Sequence, residues 1–256
     1  MRPPSLTGEG GVFVSGFQPK GSESQPMSEP AYNVGAYTPA EAGRLLGVSP
    51  ATLRRWLFGY SYAHHGPLTE QEPLWRPQYG LDREEPLLGF RDLIEARIVR
   101  GLRELGVGLP TIRDCLRRAR ELVEDDHPFS TRRFKTDGRR FFLDQSGGGG
   151  DFLLDLKQRQ VVFRNIVEPS FVDLDFDAEI ASRWWLLPHK KTIVLDPARS
   201  FGQPITAENG VPTARIAQAV DAEGSVERVA WLFEVKPAVV RDALAYENRR
   251  AEKLAA

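Results

Sequence analysis

The stretch YTPAEAGRLLGVSPATLRRWLFGY, residues 37–60, holds two helix starts in quick succession. Thr38 can accept a backbone N–H at a helix N-terminus, Pro39 suits the first helical position, and Glu41 completes a capping box. Ser49 and Pro50 repeat the cap-plus-proline signal. Gly47 between them is a helix stop, because glycine accepts the left-handed turn that closes a C-terminus. Ala42, Leu45 and Leu46 share one face of the first helix, and Leu53, Trp56 and Leu57 share one face of the second. Two short helices joined by a glycine turn make a helix-turn-helix. The second helix leaves Ala51, Thr52, Arg54 and Arg55 off its apolar face, near the end that enters the major groove in such proteins. Arginine forks onto guanine, threonine meets a thymine methyl or a phosphate, and a helix start favours a phosphate. A helical hairpin with solvated arginines is the alternative use of the same residues.

Downstream of this pair, residues 59–73 read as a polar loop carrying Tyr60, Tyr62, His64 and His65. Residues 74–79 and 86–88 fit two short strands of a wing, with Arg76 placed to reach a phosphate. Residues 90–105 form a strong helix by the spacing of Phe90, Leu93, Ile94, Ile98, Leu102 and Leu105, and Gly106 ends it. The next helix starts at Leu109 and Pro110 and runs to about residue 125, with Ile112, Cys115, Leu116, Ala119, Leu122 and Val123 inward. Its outer arginines, Arg113, Arg117, Arg118 and Arg120, alternate with Asp114, Glu121 and Glu124, the pattern of a solvated face. Residues 134–143 carry Asp137-Gly138 between basic and apolar flanks and are expected to form a β-hairpin. Arg132, Arg133, Lys135, Arg139 and Arg140 make this the most concentrated basic patch. It suits either phosphate contact or the solvent side of a strand pair. The DNA-contact candidates are therefore Ser49, Thr52, Arg54, Arg55, Tyr60, Arg76, Arg132 and Arg133.

Composition narrows the class. With 256 residues, 41% of them hydrophobic, the chain can build more than one core, and its net charge of −1 confines any DNA contact to local patches. A single cysteine excludes a disulfide framework and a thiolate metal cluster, and the apolar stripe around Cys115 suits a packed, inert thiol. No apolar run reaches a membrane span and no signal peptide is visible, so the expectation is a cytoplasmic protein. Residues 1–35, rich in Gly, Ser, Pro and Glu, read as a disordered tail, and Met27 is a candidate true start. The tetraglycine at 147–150 lacks the Gly-Lys-Ser/Thr ending of a phosphate loop and reads as a connection. A strand over 151–156 and a helix over 157–167 follow. Asp173, Asp175 and Asp177 alternate along a strand. They suit an exposed acidic edge better than a cation site, and no nucleophile–base pair supports an enzyme. No cofactor is implied.

From residue 192 the pattern changes. Residues 193–195 and 201–205 read as a strand and its return around Asp196-Pro197. Three helices follow, over 213–222, 225–233 and 237–246, with Ile216, Val220, Val229, Leu232, Val240 and Leu244 as core. Lys and Arg outnumber Asp and Glu 18 to 16 over residues 36–145, but stand 8 to 9 from residue 192 onward. The later helices therefore suit protein binding better than DNA binding.

Several motifs carry resemblances. Ser49-Pro50-Ala51-Thr52-Leu53-Arg54-Arg55-Trp56 is similar to the recognition-helix stretch of MerR-type regulators. Gly89-Phe90-Arg91-Asp92-Leu93, with Leu105-Gly106-Val107-Gly108-Leu109-Pro110, is similar to the helices after their wing, although the wing at residues 59–88 is far longer here. Leu195-Asp196-Pro197, Phe201-Gly202-Gln203-Pro204-Ile205, Val211-Pro212, Glu223-Gly224-Ser225 and the stretch from Val239 to Tyr246 resemble the small DUF433 family, with Glu208-Asn209-Gly210 where that family has Gly-Thr-Arg. The combination resembles VapB-type antitoxins. It implies a mainly α, α+β chain: tail 1–35, MerR-like winged helix-turn-helix 36–130, hairpin and connection 131–191, and a three-helix DUF433 domain 192–250. The resemblance further implies a homodimer on operator DNA that neutralises a PIN-domain ribonuclease toxin and represses its own operon. A MerR-like regulator sensing a small molecule is the alternative. Its pocket would draw on Trp184, Trp185 and Trp231, although core packing is the expected use of all three.

Overall fold

Thr38 caps the first helix as its sequence requires. Its hydroxyl accepts the Glu41 N–H at 3.2 Å while the Glu41 carboxylate accepts the Thr38 N–H at 2.8 Å. In the computed structural model this helix is α1, Pro39–Leu46, closed by Gly47 at φ +66. α2, Pro50–Phe58, follows at once. The described residues are 34–62, 69–81, 85–143 and 163–255. The expected disordered tail apart from residues 34 and 35, the Met27 start, the His64-His65 pair, the tetraglycine, the strand at 151–156 and the opening of the helix at 157–167 lie outside them.

Ala42, Leu46, Leu53, Trp56 and Leu57 are buried against α3, Phe90–Glu104, and α4, Leu109–Val123, in one continuous core. Tyr37 and Leu88 pair as an isolated antiparallel bridge beside it. Among the described residues no helix is long and apolar enough to cross a membrane.

The wing differs from expectation. The paired strands are β1, Tyr60–Tyr62, and β2, Thr69–Gln71, joined antiparallel with Tyr60 opposite Gln71. Residues 74–79 form no strand. Leu74 and Trp75 are 3% and 1% exposed, and the Trp75 indole N–H donates to Asp92 at 2.8 Å. Burying both side chains in the core sets this segment's path, and its backbone is satisfied by core neighbours, as when the Leu74 N–H donates to Trp56 O at 2.7 Å.

The largest departure is at residues 134–143. The expected hairpin is a helix, α5, Arg132–Leu143. Thr131 caps it by accepting the Phe134 N–H at 3.1 Å, and Phe134, fully buried, meets Phe129 edge-on at 4.9 Å between ring centres. The cap and the aromatic anchor outweigh the turn preference of Asp137-Gly138, since one interior glycine costs a helix only about 1 kcal/mol.

A turn of π-helix, Phe163–Val167, leads into α6, Glu168–Val172. A four-stranded antiparallel sheet follows in the order β3 (Leu174–Asp177), β4 (Ile180–Trp185), β5 (Ile193–Leu195) and β6 (Pro204–Thr206). The acidic run is not a uniform edge. Asp173 grips Arg97 at 2.8 and 2.9 Å and accepts the Trp184 indole N–H at 3.1 Å. A bulge between Asp175 and Phe176 breaks the alternation. Among the described residues no group of three His, Cys, Asp or Glu side chains could hold a metal. The return strand starts only at Pro204, after a 3-10 turn in which Ser200 and Phe201 take φ +47 and +54. The chain ends in α7 (Thr213–Glu223), α8 (Val226–Leu232) and α9 (Pro237–Ala255). These helices enclose a second core of Ile193, Ile216, Val229, Val240 and Ala243.

Of the three tryptophans, Trp184 is buried, Trp185 is partly buried and Trp231 is 79% exposed. Core packing therefore fails for Trp231, and also for Leu232, expected in the second core but 54% exposed. α8 turns its apolar face inward through Val229 and Ala230, so the next residue points outward.

Candidate nucleic-acid interface

α2 is held from two sides. Leu53, Trp56 and Leu57 lock its inner face into the core, and Ser49 fixes its start by accepting the Thr52 N–H at 3.1 Å. The hydroxyls of Ser49 and Thr52 also share a hydrogen bond at 2.8 Å. Two of the candidate residues thus form one polar unit at the helix N-terminus, where the positive end of the helix favours a phosphate. Arg54 and Arg55 are exposed on the outer face, so the structure keeps both away from the chain's own core. Arg55 lies over the Tyr60 ring at 5.7 Å, which ties the helix to the first strand of the wing through a cation–π contact. Arg54 forms no ion pair among the described residues and is available to a base edge or phosphate.

Arg76 is exposed between the buried Trp75 and Pro77, which fix the backbone on both sides of it. Arg132 and Arg133 lie elsewhere, at the start of α5. The Arg132 guanidinium donates to Phe176 O at 3.2 Å and lies 5.8 Å from the Phe176 ring, while Lys135 approaches the same ring at 5.0 Å. Arg133 is exposed. The fold therefore joins Ser49 with Thr52 and Arg55 with Tyr60, and joins Arg132 to the sheet instead.

Two supporting sets escaped the sequence reading. The first lies behind the wing. Asp92, fully buried, accepts from Trp75, from the Gly89 N–H at 2.8 Å and from the Gln78 N–H at 3.1 Å, and lies 2.9 Å from His127 Nε2. Arg91 reinforces it through Asp125 at 2.5 Å and His127 O at 2.9 Å. The second set lies on α4, whose outer face is only partly solvated. Arg117 and Arg118 pair with Asp114 along the helix, but Arg113 donates to Glu72 O at 2.8 Å and Arg120 donates to Leu74 O. These two arginines, seven positions apart on one stripe, clamp the segment that follows β2. Their spacing was visible; their acceptors are backbone carbonyls, which sequence does not mark. Cys115 is buried as expected, and burial pushes its thiol up to about 12, so it is inert as a nucleophile.

A capped helix pair with a core-locked second helix, two outward arginines and a following two-stranded ribbon defines a helix-turn-helix protein of the DNA-binding class. Residues 35–116 match the family model described as "Putative DNA-binding HTH domain". A relative from Mycobacterium tuberculosis (strain ATCC 25618 / H37Rv), named "Putative antitoxin VapB45", is 29% identical over 225 residues, spanning 83% of this chain and 94% of the relative. A solved structure, "X-ray crystal structure of Rv2018 from Mycobacterium tuberculosis", superposes with a TM-score of 0.59 at 26% identity. The match spans 83% of this chain and 99% of that one.

Proposed function

We propose that this chain is the antitoxin of a type II toxin–antitoxin pair, a cytoplasmic homodimer that binds its own operator and neutralises a PIN-domain ribonuclease. The observation that carries the reading is the pairing of two features. One is the outward Arg54 and Arg55 on a rigid, capped α2. The other is the near full-length similarity to a relative named as an antitoxin. In this reading α2 enters a major groove, with Arg54 and Arg55 on base edges and Ser49 and Thr52 at a phosphate. Tyr60 orients Arg55, and Arg76, Arg132 and Arg133 contact backbone. Dimerisation sets two such helices about one DNA turn apart, on a palindromic site. Residues 36–130 are the DNA module, MerR-like in its helices, and residues 192–250 are a DUF433-like protein-binding module. No catalytic step and no cofactor are assigned to the chain.

The test is growth. Inducing the neighbouring reading frame alone should arrest cells, and co-expressing this chain should restore them, with the two proteins eluting as one complex. A neighbour that is harmless alone, or toxic whether or not this chain is present, overturns the assignment.

A further inference from the structure

Trp231 closes α8 with 79% of its surface exposed, and Leu232 beside it is 54% exposed. The residues just before them are pinned: Val229 is fully buried and Ala230 is 4% exposed. The outward direction of the indole is therefore imposed by the second core. A large aromatic side chain displayed on a fixed backbone is the usual anchor of a protein–protein contact, because its apolar area is worth most when a partner removes it from water.

The surroundings give the partner a charge. Trp231 and Leu232 line an open groove of about 710 Å³ between α8 and the turn into α9. Glu208, Glu227 and Glu234 share that lining with a single cation, Lys236. Arg241 approaches Glu227 only at 3.7 Å, an exposed pair worth little. Glu234 adopts φ +54, where glycine is the unstrained choice. Its carbonyl is tied down by the Asn209 side-chain amide at 3.0 Å, and Val235 after it is buried. The turn thus holds an acidic side chain at the rim in a conformation that a glycine would take more cheaply. This rim repels nucleic acid phosphate and anionic lipid, and the groove is too open to enclose a small molecule.

We propose that this groove is a protein-docking site, with Trp231 as central anchor, for a partner surface whose apolar pocket is ringed by lysine or arginine. The proposal rests on the antitoxin reading, in that the partner is the toxin encoded next to this chain.

The experiment measures binding of the full chain to the purified product of the adjacent reading frame, with an inactivated catalytic site where the toxin demands it. Trp231→Ala should weaken the complex roughly thirty-fold or more while leaving the melting temperature and operator binding of the chain unchanged. Glu227→Lys with Glu234→Lys should slow association, and association of the unaltered pair should slow as salt rises. Unaltered chain that forms no complex overturns the antitoxin reading and this proposal together. A complex that forms equally well with Trp231→Ala overturns the groove alone and leaves the antitoxin reading standing. If Trp231→Ala instead converts a dimer of this chain to a monomer, the occupant is a second copy and the proposal is wrong.

Discussion

Two helices of this chain begin alike and end up doing different things. α2 starts from Ser49 and carries Arg54-Arg55 ahead of the buried Trp56. α5 starts from Thr131 and carries Arg132-Arg133 ahead of the buried Phe134. In both, the hydroxyl accepts the N–H of the third helical residue, and the aromatic ring fixes the rotation of the helix. The difference lies in what meets the arginines. On α2 Arg55 meets the ring of Tyr60, itself 40% exposed, so the guanidinium is steadied but stays at the surface. On α5 Arg132 is exposed as well, but the Phe176 ring and carbonyl hold its guanidinium against the β3–β4 sheet. The same arginine–arginine–aromatic triplet thus steadies its second arginine on one ring in the first place and fastens its first arginine to a sheet in the other.

The aromatic anchors should produce the largest effects. Phe134→Ala empties a site that is fully buried beside Phe129 and Phe171, and should destabilise the chain by about 3–5 kcal/mol in urea titrations. Trp56→Ala should cost a similar amount. If Phe134→Ala costs under about 1 kcal/mol, α5 is not anchored as described and the parallel with α2 is void.

The arginine pairs should then separate. Arg54→Ala with Arg55→Ala should weaken binding to the upstream DNA of this chain's own gene roughly a hundredfold, with no change in melting temperature. Arg132→Ala with Arg133→Ala should weaken specific and nonspecific DNA alike by a smaller factor and flatten the salt dependence by about two ions. Fluorescence anisotropy across a salt series measures both. Equal losses for the two pairs would erase the distinction drawn between the helices.

A third contrast concerns pH. Glu95 of α3 is wholly buried beside the Phe129 turn that leads into α5. Burial holds its carboxyl well above the ordinary 4.5, against the opposing pull of Arg91, the Phe129 N–H and Arg120. The folded state therefore binds this proton more tightly than the unfolded chain does. Its contribution is complete below the unfolded value and is lost as pH rises through the folded one. Glu95→Gln, which imitates the protonated form, should raise the melting temperature more at about pH 8 than at about pH 5. A gain independent of pH would mean that the carboxyl is charged in the fold.

Much of the α2 region could be read from residues alone, because its determinants are local: two caps, a glycine stop and apolar spacing all lie within 24 consecutive positions. What escaped was non-local or carried by the backbone. His127 meets Asp92 across 35 positions, and Arg113 and Arg120 bind carbonyls of the segment after β2. The outward placement of Trp231 depends on which face of α8 the second core claims, which no short window contains. At α5 the local evidence pointed the wrong way: Asp137-Gly138 between apolar runs is a strong turn signal. It was overridden by a threonine cap upstream and by an aromatic cluster reaching from Phe129 to Phe171.

That override gives the smallest effect and the sharpest sign. Gly138 lies inside α5 with the helix continuing on both sides. Within a helix, glycine loses more backbone freedom on folding than alanine, so Gly138→Ala should stabilise the chain by about 0.5–1 kcal/mol. In an Asp-Gly hairpin turn the same glycine would sit at positive φ, where an added Cβ is strained, and the substitution would destabilise. The competing structures thus predict opposite signs for one methyl group, and chemical denaturation with an unchanged m-value reads that sign directly. A stabilised variant would mean that a capped, aromatic-anchored start is enough to carry a helix through a turn sequence. A destabilised one would return residues 134–143 to a hairpin and dissolve the likeness between α5 and α2.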